Sequence, residues 1–311
     1  MQYLVTGAAG FIGSHLCEAL LDAGATVRGV DNFAPHYARE RKELNLAALR
    51  GRPGFALHEA DLAEAALEPL VGDCDAVFHL AARPGVRDSW TAFDDYVRAN
   101  VTGTKALLDA CAGRDVPLVY ASSSSVYGNA TDLPVTEAAA LAPISPYGAT
   151  KVMTETLAGA YAESYGLAAV GLRYFSVYGP RQRPDMGIAR FIEAGVAGRP
   201  IQVFGDGRQL RDFTYVGDVV RGTIAALEAA PGSVYNIASG RPVALLDVLD
   251  MLEQGLGKPL DVRLETAALG DVRDTHGSTA LAAAELGFTA QTELRDGLAA
   301  QIAEHAGRRA A

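Results

Sequence analysis

The sequence predicts an α/β protein, a doubly wound parallel sheet followed by a smaller C-terminal α/β domain. Two observations carry this. Short apolar runs of strand length alternate with amphipathic runs of helix length through the first half, and a glycine-rich turn follows the first apolar run. Such alternation builds βαβ units whose right-handed crossovers lay helices on both faces of one sheet. At 311 residues the chain can bury a substantial core, as one large domain or two intimate ones.

Taken in order, "YLVTG", "TVRGVD", "FALHEAD", "DAVFHLAA", "VPLVYASS" and "AAVGLRYF" read as parallel strands buried on both faces. Between them, "GSHLCEALLDAG" and "YVRANVTGTKALLDACAG" have helix length and periodicity. Past residue 175 the pattern loosens. "VYGPRQRPDMG" is rich in Pro, Gly and Arg and predicts a loop, "IARFIEAGVAGRP" a helix, and "IQVFGDGRQLRDF" strand, turn and strand. The expected division is 1–174 and 175–311, with segments near 212–238 packing back onto the first part. No internal repeat or low-complexity linker separates the two, and the tail "AGRRAA" is expected to fray.

Composition excludes several classes. A net charge of −10 argues against a nucleic-acid partner. No apolar run is long enough to span a membrane. Strand-like sequence starts at "QYLVTG", so no leader is expected and a cytoplasmic location is. Cys17, Cys74 and Cys111 are odd in number and far apart, which predicts reduced, buried thiols. The six histidines show no metal-ligand spacing, so no metal site is expected.

"TGAAGFIG" sets Gly7, Gly10 and Gly13, with Phe11 and Ile12 between them, directly after the first strand and at the start of a helix. Glycines permit the tight turn and let backbone N–H groups approach a pyrophosphate. The second strand ends in Asp31-Asn32, where a carboxylate would meet adenosine ribose hydroxyls and repel a 2′-phosphate, so NAD is expected over NADP. The third strand ends in Asp61-Leu62 and the fourth in Leu80-Ala81-Ala82, all at the carboxyl edge where open α/β sheets bind ligands. Asp61 is equally suited to cap a helix over "LAEAALEPL".

Only four lysines occur: Lys42, Lys105, Lys151 and Lys258. Lys151 follows Tyr147 by four residues in "SPYGATK", which puts both on one helix face. An ammonium beside a phenol favours the phenolate, a useful base. The fifth strand runs into Ser122-Ser123-Ser124-Ser125-Val126-Tyr127, adding hydroxyls at the same edge.

Together "TGAAGFIG", "YASSSSVYG", "SPYGATK", "RYFSVYGPRQRPDM" and "VFGDGRQLRDFTYV" resemble the extended short-chain dehydrogenase/reductases that act on nucleotide sugars, over nearly the whole chain. With "DNFAPHYARERKELNLAAL", "AARPGVRDS" and "RQRPDM", the chain looks most like the UDP-glucuronate 4-epimerases. The resemblance implies a Rossmann-type NAD domain and a smaller domain that binds a UDP-sugar. It implies Tyr147 as base, Lys151 on the nicotinamide ribose, and Ser123 or its neighbour Ser124 as the hydroxyl partner. Tyr174 would flank the nicotinamide. Val203 and Phe204 would border the uracil, while Arg211 and Arg273 would hold the diphosphate. Ser124, Ser125, Ser176, Arg183 and Arg87 are candidates for the sugar and its carboxylate, the arginines serving equally well as loop bridges to surface carboxylates. Members commonly form homodimers, often through helices like 94–113 and 146–166.

UDP-glucose 4-epimerases share the same trio. Nucleotide-sugar 4,6-dehydratases need an Asp-Glu pair where Ser124-Ser125 stands, and UDP-glucuronate decarboxylases a glutamate that "AARPGVRDSW" lacks. An intact Ser123/Tyr147/Lys151 set argues against a non-catalytic NAD sensor. The chain departs from the family pattern with Ser for Thr at the catalytic hydroxyl, with Ser176 for Asn or Thr, and with Gly217 for Asp. Asp218 is expected to cap the following helix in its place.

Overall fold

The computed structural model describes residues 1–266, 270 and 272–310. All six expected strands form: β1 (Gln2–Thr6), β2 (Thr26–Asp31), β3 (Phe55–Glu59), β4 (Ala76–His79), β5 (Leu118–Ser123) and β6 (Ala169–Tyr174). After these come β7 (Ser176–Tyr178), β8 (Ile201–Phe204), β9 (Leu210–Arg211), β10 (Phe213–Tyr215), β11 (Val234–Ile237), β12 (Val243–Ala244) and β13 (Val262–Glu265). The main sheet is seven-stranded and parallel, in the order β11-β6-β5-β4-β1-β2-β3. β3 departs from the expected burial on both faces, because it is an edge strand whose Ala56, His58 and Glu59 face solvent.

Helices cover both faces. They are α1 (Phe11–Asp22), α2 (Arg39–Leu46), α3 (Glu68–Val71), α4 (Phe93–Tyr96), α5 (Gly103–Ala112), α6 (Pro146–Tyr165), α7 (Gly187–Ala197), α8 (Val216–Ala225), α9 (Leu245–Leu256), α10 (Ala280–Leu286) and α11 (Leu294–Ala310). Residues of α1, α2, α8 and α10 pack with β1 and β6 in one core. Those of α3, α5 and α6 pack with β4 and β5 in another. Two late segments return to the first half, since β11 extends the main sheet and α8 joins the core of α1. A further core, built on Ile188, Ile192, Val203, Leu249, Leu252 and Leu298, gathers α7, α9, α11 and β8.

β8 and β9 form as strands but do not pair with each other. β8 runs parallel to β13, β9 antiparallel to β12, and β10 parallel to β7. Asp218 does not cap α8 either. It lies in the first turn, accepting from Thr292 N at 3.0 Å and from Arg221, and so ties α8 to the segment before α11.

The expected helix 94–113 carries a π-type turn at Val97–Thr102 between α4 and α5. Such a turn takes a backbone carbonyl out of the regular ladder. Here Asn100 O accepts Thr104 Oγ1 at 2.6 Å and Thr154 Oγ1 at 3.1 Å, which fixes this helix against α6. Local sequence starts and stops α6. Ser145 Oγ accepts from Gly148 N at 3.1 Å, Pro146 opens the first turn, and Gly166 closes the helix in the left-handed conformation.

Candidate active site

A cavity of about 650 Å³ opens along the carboxyl edge of the main sheet. Its walls include every residue expected to hold the cofactor: Gly7, Gly10, Phe11, Ile12, Gly13, Asp31, Asn32, Asp61, Leu62, Leu80, Ala81, Ala82, Tyr147, Lys151 and Tyr174. Gly7 takes φ +72°, and a Cβ there would lie 2.9 Å from Ala81 N. A Cβ on Gly13 would lie 2.1 Å from Gly7 O, so only glycine lets α1 start this close to β1. Gly10 precedes α1 without a capping side chain, which leaves first-turn N–H groups for an anion. This cradle fits a dinucleotide pyrophosphate.

Asp31 is buried. Its Oδ1 accepts from Phe33 N and Lys42 Nζ, both at 2.8 Å, and its Oδ2 accepts from Ala9 N at 3.2 Å. Lys42 also lines the cavity, so an ion pair rather than a lone carboxylate stands at the expected ribose position. Asp61 serves both readings at once. Its carboxylate accepts from Ala63 N in a turn, 2.9 Å away, and also lines the cavity, while the helix proper begins only at Glu68. Burial pushes its pKa up, but Ala63 N–H, Arg98 and Asn32 outweigh that and hold it below the usual value.

The chemical end lies deeper. Tyr147 and Lys151 project from the first turns of α6 beside Ser123, Ser124 and Ser125, all at the cavity wall. Ser123 Oγ accepts from Ser125 N at 3.1 Å, at the N-terminal end of the turn that carries Ser124 and Ser125. Burial raises the Tyr147 phenol's pKa, opposed by the Ser123 hydroxyl and by the charge of Arg183. Lys151 Nζ donates to Ala121 O at 2.8 Å, which fixes the ammonium against the end of β5. Burial brings the Lys151 pKa down to about 8, against the carboxylate of Glu155. His79 is no acid–base candidate. Burial, then Lys151, pushes its pKa to about 3, and the neutral ring bridges Thr6 Oγ1 at 2.8 Å and Thr104 Oγ1 at 2.9 Å.

The depressed Lys151 pKa has a sign that can be measured. Between about 8 and the ordinary ~10.4, the unfolded chain holds more of this proton than the folded one, so stability rises with pH across that window. Below pH 8 the penalty is fully present. Lys151→Met is therefore expected to raise the Tm of nucleotide-free protein at pH 7, by at most about 3 kcal/mol of stability. The gain should shrink at pH 9.5, and a gain independent of pH would contradict the assignment.

Ser176 and Arg183 also line the cavity. Arg183 forms a two-pronged pair with Asp185, at 3.0 and 2.9 Å, and His36 Nε2 stands 3.6 Å from the same carboxylate. Burial works against the Asp185 anion, yet His36 and Arg183 hold its pKa far below the usual range.

Five expected substrate contacts lie off the cavity wall. The Val203 side chain is packed in the C-terminal core. The Arg87 guanidinium lies over the Phe204 ring, 4.0 Å from its centre. Arg211 donates to the carbonyls of Leu210, Arg273 and Val272 at 2.9, 2.6 and 2.8 Å. Arg273 is mostly exposed, near Asp206 and Asp274.

Two contributors went unread in the sequence. Lys42 had a usable signal, being one of only four lysines and eleven residues after Asp31. Asn100 had none. Its side chain joins Arg83 N (2.7 Å) and Arg83 O (3.0 Å) to Thr150 Oγ1 (3.0 Å), stitching the cavity-lining loop after β4 to α6.

A glycine cradle, a buried acidic strand end and a Ser/Tyr/Lys set in one cleft define a nucleotide-binding oxidoreductase-type site. Residues 3–238 match the NAD dependent epimerase/dehydratase family, and the chain belongs to it. It is 40% identical over 308 residues to a Bacillus subtilis protein named an uncharacterized UDP-glucose epimerase, covering 97% of both chains. It is 38% identical over 301 residues to the UDP-glucuronate 4-epimerase of Thermodesulfobacterium geofontis, covering 95% of this chain and 93% of that one. The crystal structure of UDP-glucuronic acid 4-epimerase from Bacillus cereus, in complex with UDP-glucuronic acid and NAD, superposes with a TM-score of 0.96. That match has 40% identity and covers 99% of this chain and 100% of the other.

Proposed function

We propose that this protein is an NAD-dependent isomerase, a UDP-glucuronate 4-epimerase that forms UDP-galacturonate through a 4-keto intermediate. The observation that carries the reading is the convergence of Ser123, Tyr147 and Lys151 with the Gly7–Gly13 turn and Asp31 on one cavity. Full-length similarity to epimerases of UDP-glucuronate supports it. The first-turn amides of α1 would hold the NAD pyrophosphate and Asp31 with Lys42 a ribose. When bound, NAD would accept the hydride from C4 of the sugar and return it.

Tyr147 takes the proton of the sugar 4-OH and later returns one, with Ser123 holding the phenol and the oxygen it serves. Lys151 holds the nicotinamide ribose and places positive charge behind the phenolate. A 4-keto uronate is a β-keto acid and loses CO2 readily, so Ser124, Ser125, Ser176 and Arg183 must fix the carboxylate away from alignment with the ketone. Residues 1–174, with the returning segment 212–238, form the NAD-binding part and the rest of 175–311 the UDP-sugar part. Phe204, Arg211 and Arg273 would serve the uridine diphosphate end, with Arg87 a further candidate for the sugar carboxylate. The protein acts in the cytoplasm; among the described residues no helix is long and apolar enough to cross a membrane. A homodimer would cover Phe93, Met153 and Tyr165, exposed on α4 and α6.

One observation favours a second reading, a UDP-glucose 4-epimerase. The charge of Arg183 is already matched by Asp185, so the pocket does not demand an anionic sugar. Purified protein incubated separately with UDP-glucuronate and UDP-glucose, with products identified by chromatography and proton NMR, decides. UDP-galacturonate as the main product supports the uronate reading. UDP-galactose as the main product replaces it with the neutral-sugar one, and silence in both tubes with NAD added refutes both.

A further inference from the structure

We infer that Glu155 and Arg173 are a buried positioning pair that keeps Lys151 charged and holds it in register with the serine-ended strand. The inference rests on the reading of Lys151 given above. Glu155 lies one turn beyond Lys151 on α6, and its carboxylate accepts from Arg173 Nε at 3.0 Å, Arg173 Nη2 at 2.7 Å and Ser122 Oγ at 2.5 Å. Both side chains are nearly buried, at 8% and 6% exposure, so the pair is little screened by solvent.

Two connections tie it to the site. Ser122 precedes Ser123 and lies opposite Arg173 in the β5–β6 register, just as Ser123 lies opposite Tyr174. One carboxylate thereby pins the strand that carries Ser123 to the helix that carries Tyr147 and Lys151. On its other side, Arg173 Nη1 donates to Tyr127 O–H at 2.7 Å and to Glu137 O at 3.0 Å, and Tyr127 donates to Asn236 Oδ1 at 2.7 Å. The turn Ser124–Tyr127 is thus anchored to β11 directly, by the Tyr127–Asn236 bond, and Arg173 holds the Tyr127 hydroxyl from its other side.

Taking two charges out of water costs several kcal/mol per ion, and apolar residues would hold a helix to a sheet as well. What apolar residues cannot do is supply a negative charge behind Lys151. The groups around that ammonium are the neutral His79 of β4, the carbonyl of Ala121 on β5, and Tyr147 and Glu155 on α6, with Arg173 of β6 behind Glu155. Among the described residues Glu155 is the counter-charge acting on it.

The test is Glu155→Gln/Arg173→Met, which removes both charges together and is expected to fold for that reason. Two readouts are taken: the pH dependence of turnover, and the titration of Lys151 by NMR in protein labelled on its four lysines. The second needs no substrate, so it decides even if UDP-glucuronate proves to be the wrong sugar. Expected is a downward move of about one pH unit or more in both the Lys151 titration and the alkaline limb of turnover. A folded double variant whose Lys151 titrates as in the parent overturns the inference. Should the double variant fail to fold, Arg173→Met decides in the opposite sense. It strips Glu155 of its compensating cation, so Lys151 must titrate higher, and an unchanged or lower titration refutes the pair's role.

Discussion

Tyr147→Phe should keep the fold and the bound nucleotide while turnover falls on the order of 10³-fold. The substitution removes one oxygen and nothing else. The ring keeps its edge-on contact with Tyr96, 6.2 Å between centres, and Tyr96 itself remains tied by its hydroxyl to the carbonyls of Pro84 and Gly85. What is lost is the group that must lie between the sugar 4-OH and the Ser123 hydroxyl. A general base works best when its pKa lies near the working pH. Burial pushes this phenol the wrong way, and Ser123 and the charge of Arg183 oppose it. Nearby groups are committed elsewhere: the buried His79 is locked neutral between two threonines, and Asp31 on the cavity wall is paired with Lys42. Turnover within tenfold of the parent, measured with UDP-glucuronate and with UDP-glucose, would remove Tyr147 from the role of base.

How far the site could be read from sequence follows from where its parts sit. Five of the six strands of the first half are apolar over most of their length because both faces are covered, and β2 and β5 end in polar residues where they stop at a cleft. That contrast is visible in one dimension, so Asp31, Asp61, Ala81 and Ser123 could be aligned along one edge before any coordinates. The edge strand β3 broke the rule for the same reason, having a neighbour on one side only. The π-type turn at Val97–Thr102 is one extra residue within a helix, too small a change of period to see, and it hid Asn100. The C-terminal part was the least legible. β8 and β9 have partners some 60 and 30 residues further on, and nothing local names them. Motif likeness could propose Arg211 and Arg273 as diphosphate ligands, but it could not show that Arg211 spends hydrogen bonds on the carbonyls of 210, 272 and 273.

Gly13→Ala should abolish nucleotide binding and lower stability by about 3 kcal/mol, roughly 5 °C in Tm. The added carbon would meet Gly7 O at 2.1 Å, Gly7 C at 2.8 Å and Ala8 Cα at 3.2 Å, all backbone. A flexible side chain could swing aside; this turn cannot. Gly7 is already in the left-handed region with its own approach to Ala81 N at 2.9 Å, and its N–H donates to Val30 O at 2.7 Å. Relief therefore requires α1 to slide outward, which withdraws the first-turn amides from the place where an anion must sit and loosens Phe11, Leu16 and Leu20 from the core. Gly307→Ala is the matched control. Its Cβ would meet nothing within 4 Å on α11, and alanine favours a helix over glycine, so the Tm should hold or rise slightly. Calorimetric melting and the nucleotide released on denaturation measure both effects. If Gly13→Ala melts with its parent and releases as much NAD, the close approach of β1 and α1 is not what builds the cofactor site.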